Sequence, residues 1–217
     1  MNRAPFIILG TILAFLALAC EPNASTSVRQ DPPPSPSNSP LPVRSPVTRR
    51  LVEGAIEQAE YTRRYDPSYV KIDYPGGDVP LDRGVCSDVL IRAFRKAGID
   101  LQKEVHQDMR GDFAAYPRRW GLARPDPNID HRRVPNLMTF FKRRGKALAA
   151  SSRKEDYLPG DIVAWDLGNG LTHIGLVTDL PSEATGAFKI VHNIGAGVRV
   201  EDVLFSWQII GHYRYFQ

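Results

Sequence analysis

Hydrophobic positions along the chain change period once, near Pro159-Gly160, which separates a helical part from a strand part. Before that point, Val52, Ala55, Ile56 and Ala59 recur at i, i+3, i+4 and i+7, the stripe of an amphipathic helix over residues 51–65. An irregular stretch follows, YDPSYVKIDYPGGDVPLDRGV, long enough inside a compact domain to suggest a functional loop. Val89, Ala93 and Ala97 then repeat every fourth residue beside Leu90 and Phe94. They predict a helix that opens at Cys86 and stops at Gly98, with Arg95 and Lys96 at its negative end. Further helices are predicted over residues 102–113 and 134–144, the second with Pro135 in its first turn and Gly145 as its stop. After Pro159-Gly160 come DIVAWD, HIGLVTD and FKIVHN, short β-branched or aromatic runs bounded by Gly, Asn or Pro. VRVEDVL and IIGHYRYF add two more. Helices first and hairpin-connected strands after predict an α+β domain, with N-terminal helices packed on an antiparallel sheet of about five strands.

The first fifty residues read differently. Arg3 precedes an apolar or small run over residues 6–19, too short to span a bilayer, which fits an export signal over residues 1–19. Ala17-Leu18-Ala19 satisfies the small-x-small rule for ordinary cleavage. Cys20 directly after it suggests a lipoprotein box, with Cys20 acylated as the first mature residue and the protein anchored to a membrane in the cell envelope. A soluble secreted protein that begins with Cys is the other reading. Residues 20–48 form a tether: seven prolines lie between Pro32 and Pro46, interleaved with serines, and such a segment buries too little apolar surface to fold. Residues 49–217 are then one domain with a substantial core.

Charge follows the same division. Of the net +4, the first fifty residues hold +3, from five arginines against Glu21 and Asp31, which leaves the domain at +1. That balance does not support a nucleic-acid face.

Cys86 is the domain's one cysteine, without an internal disulfide partner. At a helix start, partial positive charge and unpaired N–H groups favour a thiolate and could face an oxyanion. The alternative is a buried cysteine that acts as a small apolar residue. His173 opens the strand HIGLVTD, where it could project toward a neighbouring helix terminus. His192 lies on the next run, and in an antiparallel hairpin both histidines fall toward the same end of the sheet. His192 could then bond the far nitrogen of His173; Asn193 could do so instead, but neighbouring strand residues face opposite sides.

The ordered set CS, PGDIV, HIGLV and IVH resembles the NlpC-type cell-wall cysteine peptidases of the papain-like superfamily. The region from about residue 51 onward also resembles an uncharacterised bacterial envelope family related to them, through YPGGDVPLDRGVCSDV, RPDPNIDHRRVPNL and VHNIGAG. The resemblance implies a papain-like, NlpC-type fold, with Cys86 as nucleophile, His173 as base and His192 as orienting residue. It also implies a hydrolase without metal or cofactor, whose substrate is an amide bond of a peptidoglycan peptide. Two positions depart from the family's pattern: Val85 replaces the usual Asp before the nucleophile, and Asp88 replaces the usual Gly. A carboxylate two residues from the thiol opposes thiolate formation unless it is paired.

Other polar residues carry weaker expectations. Asp82 and Arg83 line the cleft or form a loop ion pair. Arg132, within Asp130-His131-Arg132-Arg133, binds a substrate carboxylate, or Asp130 caps the following helix. Tyr69 and Tyr74 stack on substrate or pack on the core; Asp88 and Asn193 are further candidates for substrate contact. An acyltransferase or esterase with the same Cys-His pair, a non-catalytic wall-binding module, and a zinc site of Cys86, His173 and His192 are the rival readings.

Overall fold

The computed structural model describes residues 45–216. The expected export signal, Cys20 and most of the tether lie outside the described residues. The described residues have mixed α+β architecture, with four α-helices and a six-strand antiparallel sheet. Helix α1 (Pro46–Ile56) starts within the stretch expected to be tether. Ser45 caps it by accepting from the Thr48 N–H at 3.3 Å, and Pro46 takes the first turn, where a missing N–H costs nothing. The expected helix to residue 65 ends at Ile56. A 3-10 turn, Glu57–Glu60, follows, and then β1 (Arg64–Tyr65) pairs in parallel with β2 (Arg83–Gly84). Gln58 is the reason for the break: its amide turns inward and donates to Gly54 O and Val89 O, both at 2.9 Å, so the chain is tied to the next helix.

Helix α2 (Cys86–Lys96) begins at Cys86 as expected, and its residues from Cys86 to Phe94 are all buried. Gly98, in the left-handed region at φ 89°, ends it. Helix α3 (Leu101–Gly111) is capped by the Asp100 side chain, and α4 (Val134–Arg143) carries Pro135 in its first turn.

The strands are β3 (Ala147–Leu148), β4 (Ile162–Asp166), β5 (Thr172–Pro181), β6 (Phe188–Asn193), β7 (Val198–Glu201) and β8 (Gln208–Tyr213). Their order is β3-β8-β4-β5-β6-β7, so the expected five runs form the sheet and the two-residue β3 extends it by one. Both faces are covered. Ile162, Ala164, Ile174, Leu176 and Val191 pack with the helices. Val163, Trp165, Val177 and Ile190 meet Tyr157 and Leu204 on the other side. On the helix face, each fully buried Val, Ile or Leu contributes about 1.5–3 kcal/mol, which fixes the sheet against α2 and therefore fixes the N-terminus of that helix. Among the described residues, no helix is long and apolar enough to cross a membrane.

Candidate active site

Cys86 occupies the first turn of α2, 4% exposed, and β5 packs against that helix. The backbone N–H of Ile174, the residue after His173, donates toward its thiol. Burial pushes the thiol up to about 12, with the nearby Asp88 carboxylate adding to the rise, against the N–H groups of Ile174, Ser87 and Cys86 itself. The resting group is a neutral thiol.

Asp88 is not free to face substrate. Its carboxylate is 3% exposed and accepts from Arg132 Nε at 2.8 Å and Nη2 at 2.9 Å. Its second oxygen also takes the Val85 N–H at 2.6 Å, which caps α2 from inside. The carboxylate near the thiol is therefore paired, the condition under which it can be tolerated there. Arg132 shares that bond and donates elsewhere to the carbonyls of Ser68 and Asp66, and it also lines the cleft beside Cys86.

His173 and His192 meet. The β5–β6 register, with Leu176 opposite Val191, carries on to set Gly175 opposite His192. A Cβ on Gly175 would lie 2.6 Å from Ile190 Cγ2 and 3.2 Å from His192 Cβ, so the glycine opens the space across which His192 reaches His173. Their rings bond, Nε2 of His173 to Nδ1 of His192, at 2.8 Å. Trp165 stacks on His173 with centroids 5.7 Å apart, and Trp207 stands edge-on to it at 6.0 Å. Burial holds His173 down at about 3, with the neighbouring His192 acting in the same direction. His192 is also lowered by burial, although its bond to Glu201 works the other way. Both imidazoles are neutral near pH 7.

The second nitrogen of His192, Nε2, lies 3.0 Å from Glu201 Oε2, and the Glu201 side chain is 41% exposed. Sequence reasoning missed this residue. The signal was present in the hairpin HNIGAGVRVE: Arg199 pairs with His192, so Glu201, two further on, shares its face as the diagonal neighbour. Trp165, Trp207 and Gly175 were missed as well.

Asn193 faces the other way, as strand alternation requires. Its amide donates to Gly84 O at 2.9 Å and Arg64 O at 3.3 Å and so ties β6 to the segment that leads into Cys86. It is fully buried and holds these two segments together. Asp82 forms the bland alternative, a surface ion pair with Arg64; Arg83 approaches Asp66 at 3.5 Å. Tyr74 sets its ring against His106 of α3, 4.9 Å between centroids. Asp130 does not cap α4; it accepts from the Asp126 N–H and pairs with Arg133 at 3.0 Å.

A cleft of about 200 Å³ opens beside Cys86, walled by Tyr65, Trp120, Ile129, Val134 and Thr172. Arg133 lies over the Trp120 ring at 4.1 Å on its rim. Burial raises the Tyr65 phenol to about 12, and the Cys86 sulfur and Asp88 act in the same sense. A separate cleft of about 300 Å³ adjoins His192, Arg199 and Glu201.

The family model described as "Domain of unknown function (DUF1287)" matches residues 52–215. The chain is 57% identical over 166 residues to "Uncharacterized protein YijF" of Escherichia coli (strain K12), covering 76% of this chain and 80% of that protein. Among solved structures it is similar to "a similar to lipoprotein, NLP/P60 family" from Staphylococcus aureus subsp. aureus Mu50. The match has 15% identity and a TM-score of 0.40, and covers 83% of this chain and 45% of that one.

Proposed function

The chain belongs to the DUF1287 family, and on that premise we propose that it is a thiol hydrolase of the cell envelope with an NlpC-type, papain-like arrangement. Its substrate would be an amide bond, in peptidoglycan stem peptides. The observation that carries this reading is the bond between His173 and His192 at the end of the sheet against which the Cys86 helix packs.

With thiol and imidazole both neutral at rest, the proton moves as the bond forms. Cys86 sulfur attacks the amide carbonyl while the free nitrogen of His173, Nδ1, takes the thiol proton. Negative charge on the tetrahedral oxygen meets the Cys86 and Ser87 N–H groups that face the thiol in the first turn of α2, and the Tyr65 phenol, which stays protonated at the cleft wall. His173 then passes the proton to the leaving amine, a thioester to Cys86 remains, and water releases the acyl group. Export and a lipid on Cys20 would place this chemistry at the wall.

A second reading has an observation in its favour. The buried thiol, pushed up to about 12, suits a non-catalytic wall-binding module in which Cys86 is an apolar filler. Digestion of purified peptidoglycan separates the two, with products read by mass spectrometry. Hydrolysis predicts new muropeptides from the wild type and none from Cys86→Ala; the same products from both, or none from either, would sink the hydrolase.

A further inference from the structure

We infer that Glu201 is a positioning residue: it fixes the tautomers of both histidines and so decides which nitrogen of His173 is left to take a proton. The consequence for catalysis rests on the hydrolase reading; the tautomers themselves do not.

An ionised carboxylate can only accept hydrogen bonds. Glu201 Oε2 faces His192 Nε2 at 3.0 Å, so that nitrogen must carry hydrogen. Burial keeps His192 neutral, which leaves its Nδ1 with a lone pair. That lone pair faces His173 Nε2 at 2.8 Å, so the hydrogen between the rings belongs to His173. His173 is neutral too, and its one hydrogen is now assigned. Its Nδ1 is therefore bare and able to act as a base. This relay of hydrogens starts at a side chain on the edge strand β7.

The opposite assignment puts a hydrogen on Nδ1 of both rings. His173 would then donate at the position where a base is needed. Trp165 and Trp207 hold the rings on two sides, and Gly175 leaves the path between them open. What selects between two hydrogen patterns in one heavy-atom arrangement is the group at the end. Glu201 lines the second cleft, away from Cys86, so it touches no reacting atom.

The test is long-range 1H–15N spectroscopy of histidine-labelled protein at neutral pH, with peptidoglycan cleavage measured on the same samples. In the wild type, His173 and His192 should both carry hydrogen on Nε2. Glu201→Ala should give mixed tautomers, and a roughly 10-fold slower cleavage with KM unchanged. Glu201→Lys replaces an acceptor with a pure donor and should move the hydrogen to Nδ1 on both rings, with cleavage lost. A merely structural glutamate would not reverse the tautomers. Unchanged signals from His131 and His212 report that the fold is intact. Hydrogen on Nδ1 of either ring in the wild type would overturn the inference without any variant, as would Glu201→Lys with both rings still protonated on Nε2. Tautomers that reverse as expected in a protein that never cleaves peptidoglycan would sink the hydrolase and leave the Glu201 assignment standing.

Discussion

Two imidazole–carboxylate pairs lie at the sheet, and their geometry is nearly the same. His212 Nε2 meets Asp161 at 2.8 Å, and His192 Nε2 meets Glu201 at 3.0 Å. Their surroundings differ. Asp161 is 1% exposed and held on both oxygens by Arg214 at 2.7 Å, while Tyr157 stacks on His212 at 4.3 Å. That pair is closed: every strong group already has its partner, and it ties the end of β8 to the turn before β4. The second pair is open. Glu201 reaches solvent, and His192 passes its other nitrogen to a further histidine that still has one nitrogen to use. Distance alone does not distinguish the two pairs; the unspent group at the end does.

His173→Ala should slow cleavage about 10²–10⁴-fold, the usual span for loss of a general base, measured by muropeptide release against time. His212→Ala should leave cleavage per folded molecule unchanged.

Stability should show the reverse. Asp161→Ala removes the partner of a buried histidine and of Arg214, and should lower the urea midpoint by the equivalent of about 2–3 kcal/mol. Arg214 can turn toward water, which keeps the loss at the lower end for a broken buried pair. Glu201→Ala, at an exposed carboxylate, should cost under about 1 kcal/mol in the same measurement.

Gly175→Ala would crowd the open pair. A methyl group there meets Ile190 and His192, and should cost about 1–3 kcal/mol while it disturbs the contact between the two rings. Loss of cleavage beyond the loss of folded protein checks the second part.

Acid lability follows from the buried neutral histidines. His173 is held at about 3 and His131 at about 4, both below the ordinary 6.5, each chiefly by burial. The unfolded chain therefore binds more protons than the folded one between those values. The stability this contributes is complete above pH 6.5 and is lost as pH falls, by about 1.4 kcal/mol per unit for each such group. Urea midpoints from pH 7 to pH 5 should fall accordingly, and His173→Asn should flatten the slope.

Much of this was legible in the sequence because it is local. The change from period 3.6 to short β runs, the Cys86 helix start, and His173 and His192 on successive strands all follow from residues near one another. Other features depend on partners far along the chain. Asp88 could be seen as a difficulty but its answer could not, because Arg132 lies 44 residues away. Arg132 and Asn193 were candidates for substrate contact because polar residues beside a reactive thiol invite that reading. The structure shows them bonded to backbone carbonyls and carboxylates far along the chain, which residue type alone does not announce. The start of α1 was readable in principle, since Ser45-Pro46 is a cap followed by a first-turn proline, but the proline-rich context hid it. Glu201 needed the turn length between β6 and β7, which periodicity does not supply.

The central claim is that Cys86 forms the covalent intermediate. Acid quench during turnover of peptidoglycan stem peptides, followed by intact-protein and peptide mass spectrometry, tests it directly. The account predicts a thioester adduct of the acyl fragment on Cys86, absent from Cys86→Ala, which also releases no product. Steady product release without an adduct on Cys86, matched by Cys86→Ala, would contradict it.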